Sequence, residues 1–247
     1  MIKTIKTMSK QEKERYTVPR KVQDVIPVRR IWPDGIFLVG NKFSKTYKFS
    51  DINYLVASRE DKESMFLTYS ELLNSLDSGA VTKITINNRR MNQANFETSI
   101  LMPMQGDFRD EYRGEYNQML LDKATGANGI MQEKYITISV VKKDVEEARA
   151  YFARVGADLI SHFAALGSKC VELDATERLR ILHDFYRQGE ESEFVFNARE
   201  MMKRGHSFKD YICPDGIEKK SDYLKLGGKF CRVLFLKDYA SYIKDNM

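Results

Sequence analysis

Two stretches of the chain, 43–87 and 135–173, each read as strand, helix, strand, and that order constrains the fold more than any single motif does. In the first, FSKTYKF (43–49) alternates apolar and polar residues, which suits a strand with one wet face. Met65, Phe66, Tyr69, Leu72, Leu73 and Leu76 then recur at three and four residues, so 60–77 is a helix with one apolar face. Ser58 stands where an N-cap would, Asp61 in the first turn, and Gly79 where the helix would stop. VTKITIN (81–87) is β-branched and alternating, hence a strand. In the second stretch YITISVV (135–141) is the clearest strand of the chain. Asp144 caps a long helix to about Leu166, with Val145, Ala148, Phe152, Val155, Leu159 and Phe163 on one side. Gly167 closes it, and Cys170–Leu173 forms a short strand. Each helix needs partner strands to cover its apolar face. The reading is therefore an α+β fold with mixed or antiparallel sheets and packed helices, and two ferredoxin-like (split βαβ) units satisfy the order.

The remaining segments are read around this frame. Val25–Ile31 and Ile36–Val39 are extended, joined by a Pro33-Asp34-Gly35 turn. Residues 107–124 form a helix with acids at its start and an apolar stripe of Tyr112, Tyr116, Met119 and Leu120. Residues 89–105 show no clear period. Asp174 caps a helix carrying Leu179, Leu182 and Phe185; 189–221 is an irregular excursion with short helical turns. Residues 223–236 suit a hairpin around Gly227-Gly228. Residues 237–247 look helical and stop without a C-cap glycine, which reads as a truncation. The domain reading is a basic flexible arm over 1–20 and one α+β domain over 21–247, with 21–130 and 131–247 as its sub-units.

Composition bears on partners. The net charge is +5, and residues 1–30 alone carry nine Lys/Arg against Glu12, Glu14 and Asp24, so the rest is about neutral. Lys3, Lys6, Lys10, Lys13, Arg15, Arg20 and Lys21 are the candidates for contact with anionic lipid or nucleic acid. A solvated, frayed terminus accounts for the same residues. Three cysteines, Cys170, Cys213 and Cys231, speak against a disulfide framework and for a reducing compartment. No stretch approaches the ~18 apolar residues of a membrane span, and the start lacks the apolar core of a signal peptide. These features place the chain in the cytosol, against a membrane surface.

The motif search excludes familiar chemistry. Gly35 to Lys42 spaces two glycines like a phosphate loop, but Ile36–Val39 between them is strand-like and no Gly-Lys-Ser/Thr follows. Gly227-Gly228-Lys229 is followed by Phe230, which offers no hydroxyl to magnesium. His162, His183 and His206 form no metal-ligand pair, and Cys213 and Cys231 lack zinc spacing. There is no Gly-x-Ser-x-Gly elbow, and Cys170 lies in an apolar strand. Glu146/Glu147 and Glu190/Glu191 fall in charged, solvent-facing runs. Arg89 and Arg90 end a strand without the aromatic pattern of an RNA-binding sheet. The residues thus assign no catalytic, cofactor-binding or metal-binding position.

Several strings do carry a resemblance: VQDVIPVRRIWPDGIFLVGNKFSKTYKFSDINY (22–54), DKESMFLTYSELLNSLDSGAVTKITINNRR (61–90), DEYRGEYNQMLLDKATGAN (110–128), VEEARAYFARVGADLI (145–160), SKCVELDATERLRILHDFYR (168–187) and FKDYICPD (208–215). They resemble the N-terminal region of the large conjugation ATPases of type IV secretion systems (the TrbE/TraC/CagE-like family), in the version carried by integrative conjugative elements of Gram-positive bacteria. The resemblance implies an N-terminal α/β domain that precedes a RecA-like motor. The assembled hexamer sits at the cytoplasmic face of the membrane channel. It further implies contacts with inner-membrane channel proteins and neighbouring ATPase subunits, peripheral membrane contact, and only indirect contact with DNA. ATP and magnesium belong to the motor, which this sequence does not reach, so no catalytic residue carries over and the chain reads as a non-enzyme. The alternative reading is a stand-alone nucleic-acid-binding module that uses the basic arm.

Overall fold

A computed structural model describes residues 19–90, 101–126, 130–203 and 205–238. The chain divides into two compact units. One runs from Pro27 to Ile212; the other takes the described residues before Pro27 together with those from Cys213 on. The sub-units 21–130 and 131–247 read from the sequence do not coincide with this division. Their boundary falls within a pair of hydrogen-bonded strands.

The larger unit is built on a six-stranded antiparallel sheet: β1 (Val28–Ile31), β2 (Phe37–Val39), β3 (Lys42–Phe49), β4 (Val81–Arg90), β5 (Ile130–Val140) and β6 (Cys170–Glu172). The main order is β1-β2-β3-β5-β4. β5 pairs with β3 from Phe43 to Phe49, while the opposite edge of β3 is shared by β2 near Phe43 and β6 near Lys48. Helix α2 (Arg59–Asn74) joins β3 to β4, and α4 (Val145–Ala165) joins β5 to β6. Each strand–helix–strand unit therefore leaves a gap of one strand, and the other unit fills it, giving β6-β3-β5-β4. That is a single split βαβ arrangement. The α+β class holds; the two units of the sequence reading interleave into one ferredoxin-like sheet instead of forming two. Helix α3 (Asp110–Gly126) is inserted between β4 and β5.

The strand register decides what is covered. Phe43, Tyr47 and Phe49 share a face with Ile136, Ile138 and Val140. Against it lies α4, whose Ala148, Phe152, Val155, Leu159 and Phe163 are buried. Phe49 stacks on Phe163 at 4.8 Å, and the Tyr47 hydroxyl donates to the Phe152 carbonyl at 3.2 Å. Leu72 is the buried residue of α2, with Met65, Tyr69 and Leu76 packed against the same core; Phe66 and Leu73 remain exposed. Ser58 accepts from the Asp61 amide at 3.1 Å, as its position predicts. Gly79 is not the stop, because α2 already ends at Asn74 with Ser75 as its C-cap. Asp144 accepts from the Glu147 amide at 2.9 Å. Asp144→Ala is expected to cost about 1 kcal/mol, read as a lower urea midpoint with an unchanged slope.

β3 corrects its own reading. Its second face is not wet: Ser44 and Thr46 are buried, and so is Lys45 on the face of Tyr47. The Ser44 side lies beneath a helix capped by Asp174, α5 (Ala175–Tyr186). From it Arg178 donates to the carbonyls of Gly35 and Ser44, both at 2.7 Å, and to Ser44 Oγ at 3.1 Å. Its guanidinium lies 4.0 Å from the Phe37 ring centre. Thr46 meets Thr137 at 2.9 Å, and Lys45 pairs with Glu172. A strand with partners for its polar side chains is stable between two layers. On α5, Leu179 is buried as expected while Phe185 is 57% exposed, because Arg178, His183 and Asp184 occupy the inward positions.

Near the start of the chain, Val22–Val25 is a helical turn (α1) and not the start of the strand, which begins after Pro27. The excursion over 189–221 contains short helical turns at 191–193, 198–201 (α6) and 208–211, as read from the sequence. The smaller unit carries a meander of β7 (Ile217–Lys219), β8 (Leu224–Leu226) and β9 (Lys229–Cys231), which places the expected hairpin at Gly227 and adds a third strand. Val233–Leu236 continues beyond it as exposed chain that pairs with no strand among the described residues. The predicted terminal helix lies almost wholly outside the described residues. No helix among the described residues is long and apolar enough to cross a membrane.

Candidate functional site

The segment that leads into α3 is built by local hydrogen bonds. Asn117, buried on α3, clamps the chain at Met102: its Nδ2 donates to the Met102 carbonyl at 2.9 Å, and its Oδ1 accepts from the Met102 amide at 2.8 Å. Asp110 accepts from the amides of Gln105 and Gly106 at 3.0 and 2.7 Å. Asp107 accepts from the Arg109 amide at 3.0 Å. Arg113 closes the loop by donating to Asp107, Asp110 and the Gln105 side chain. The Arg113 hydrogen bond holds the Asp107 carboxyl below the usual range; the Gln105 amide and then Arg113 do the same for Asp110. The two carboxylates in turn raise Arg113. Arg113 is thereby engaged within its own loop.

This frame holds apolar side chains outward. Met102, Phe108, Arg109, Tyr112, Arg113 and Tyr116 line an open hollow of about 380 Å³. Phe108 is 83% exposed and Tyr112 68%. Arg109 lies over the Phe108 ring at 5.4 Å. Of the α3 side chains described, Asn117 alone is buried, so the helix contributes no apolar residue to the core. The neighbouring strand extends the pattern. Ile84 and Ile86 share the face of Ile136, yet Ile86 is 57% exposed. A buried polar anchor and an exposed aromatic face invert the usual sidedness of a helix in a globular domain. The chemistry on offer is apolar and aromatic contact, with the guanidinium groups of Arg109 and Arg113 in the same lining.

The basic residues singled out in the sequence are not gathered by the described fold. Lys3, Lys6, Lys10, Lys13 and Arg15 lie outside the described residues. Arg20 and Lys21 are exposed beside α1, where the Lys21 amide donates to Asp24 at 3.3 Å. The backbones of Arg89 and Arg90 pair with Met131 and Ile130 at the end of the β4–β5 ladder; their side chains are not described. Among the described residues no three His, Cys, Asp or Glu side chains group as a metal ion requires. His162 is half-buried on the last turn of α4, and His183 is buried on α5, 5.1 Å from the Phe194 ring.

The cysteines are all free thiols. Burial, and secondarily Glu172, push the Cys170 thiol up to about 11. At pH 8 only ~0.1% of it is then thiolate, so a disulfide reagent is expected to leave Cys170 unmodified in the folded chain and to modify it on unfolding. Mass spectrometry of the labelled chain reads the difference. The sequence located the aromatic half of the hollow in Tyr112 and Tyr116. It missed Met102 and Phe108, which approach from a stretch without periodicity, and nothing but the Asp107-Asp110-Arg113 spacing pointed to the loop that presents them. No family model matches the chain, and no curated protein matches it.

Proposed function

We propose that the chain is a non-catalytic docking domain, the N-terminal part of a conjugation ATPase of the type IV secretion kind. In this reading it joins the motor to inner-membrane channel proteins and to neighbouring ATPase subunits during conjugative DNA transfer, on the cytoplasmic face of the membrane. The observation that carries it is α3, a helix inserted between paired strands whose aromatic side chains lie outside the core. Exposed aromatic clusters of this kind are costly to keep in water and mark surfaces that meet a protein. The resemblance carried by the strings between residues 22 and 215 supplies the partner class.

The test is binding to detergent-solubilised channel subunits and to full-length ATPase, with Tyr112→Ser/Tyr116→Ser alongside the parent chain. Both side chains are largely outside the core, so the variant is expected to unfold within about 0.5 kcal/mol of the parent. Its binding is expected to weaken at least about 30-fold. Binding to DNA alone, falling steeply with salt, would favour the basic-arm module instead.

A further inference from the structure

We infer that the outer edge of β4 is a docking site for an extended segment of another protein, which adds to the sheet as a further strand and alternates apolar with acidic residues. This surface is separate from α3 and serves whether or not α3 docks. An edge strand leaves the N–H and C=O groups of every second residue without a ladder partner, and a long, regular edge accepts strands from other chains unless the fold guards it. The two ends of the main sheet differ in this respect. β1, at one end, has four residues, follows Pro27, shifts register between Val28 and Arg30, and carries exposed Arg29 and Arg30. Short length, proline, an irregular register and charge each guard an edge. β4, at the other end, lacks the first three. It runs ten residues, from Val81 to Arg90, without proline or glycine. Its register with β5 is unbroken from Val81↔Ser139 to Arg90↔Ile130. Among the described residues β5 is the only strand paired with it.

The side chains along this edge select what the added strand carries. Ile84 and Ile86 lie on the face of Ile136 and are 44% and 57% exposed. Lys83 is exposed on the opposite face. β5 sets Thr137 opposite Lys83, with Tyr135 and Ser139 on either side, so no acid faces it from that strand. The charged residues of β4 are Lys83, Arg89 and Arg90, all cations. A strand laid beside β4 places alternate residues against Ile84 and Ile86 and the intervening ones against Lys83. Apolar side chains complement the first row and carboxylates the second. A helix or a lipid surface offers no free row of backbone N–H and C=O groups, so a strand is the occupant that satisfies both the edge and its side chains.

The test is fluorescence anisotropy of a labelled peptide of about nine residues, alternating Val and Glu, titrated with the full chain. The expected result is saturable binding with a Kd of about 1–100 μM, and slowed amide hydrogen exchange over 81–90 in the bound chain. The same peptide with every backbone nitrogen methylated keeps its side chains but loses its donors, and is expected to bind at least about 10-fold more weakly. A peptide alternating Val and Lys is expected to be weaker by a similar factor. Lys83→Glu, at an exposed position that leaves the fold intact, is expected to reduce the preference for Glu over Lys at least about 10-fold. Ile84→Ser/Ile86→Ser is expected to weaken the Val/Glu peptide at least about 10-fold. Absence of binding up to about 1 mM overturns the assignment. So does a methylated peptide that binds as tightly as its parent, or a preference that Lys83→Glu leaves unchanged. Exchange over 81–90 that slows with chain concentration alone, without peptide, would place a second copy at the edge and also overturn it.

Discussion

Gly35→Ala is expected to lower the unfolding free energy by roughly 3–4 kcal/mol, while Gly40→Ala lowers it by about 1 kcal/mol. Both glycines have positive φ, 78° and 63°, so alanine is strained at either one. They differ in what a methyl group meets. At Gly40 there is no atom within 4 Å. At Gly35 the added carbon would stand 2.0 Å from the Leu173 carbonyl oxygen, which is backbone and cannot rotate away. The turn around Gly35 is also a junction. The Ala175 amide donates to the Pro33 carbonyl at 3.3 Å, Arg149 donates to Asp34 at 2.6 Å, and Arg178 donates to the Gly35 carbonyl. Moving the turn to admit a methyl group disturbs all three. Urea unfolding of the two variants reads the gap between strain alone and strain with collision.

Arg178→Met is expected to cost about 3 kcal/mol, and Arg178→Lys to recover less than half of that. Burial pulls the guanidinium down to about 9, which still leaves it charged at neutral pH. Its charge is answered by two carbonyls, one hydroxyl and the face of Phe37. Methionine fills the volume but leaves the Gly35 and Ser44 carbonyls without their donor. Lysine keeps the charge, but a single ammonium on a flexible stem does not reproduce the planar fork. Equilibrium unfolding of both variants at pH 7 gives the comparison; a methionine variant as stable as the parent would show that the carbonyls find another donor.

Much of the frame was legible because it rests on local patterns. Ser58, Asp144 and Asp174 are caps that the sequence displays next to each apolar run, and all three accept the amide hydrogen bond expected of them. The α4 face could be read because 3.6-residue periodicity needs no knowledge of the rest of the chain. The sheet order could not. Residues 43–49 and 130–140 are far apart in sequence, and nothing in either says that β5 fills the gap between β3 and β4. For the same reason Ser44 and Thr46 read as solvent-facing: their partners, Arg178 and Thr137, come from remote elements. Phe185 erred in the opposite sense, since an apolar residue in a short helix is expected inward, and the buried Arg178 requires the inward face for itself. Of the candidate site, Tyr112 and Tyr116 were visible as a stripe. Their exposure was not, because it depends on which remote elements of the described fold reach that face.

The most direct measurement is recovery of the tagged chain with its partners from membranes of cells that carry the conjugation machinery. Three forms are compared: the parent, Tyr112→Ser/Tyr116→Ser, and a chain in which Lys3, Lys6, Lys10, Lys13 and Arg15 are replaced by Gln. The account predicts that the parent and the arm variant recover an inner-membrane channel protein or the full-length ATPase, and that the α3 variant recovers neither. Recovery undiminished in the α3 variant, or recovery of nucleic acid alone that is lost with the arm's charges, would contradict it.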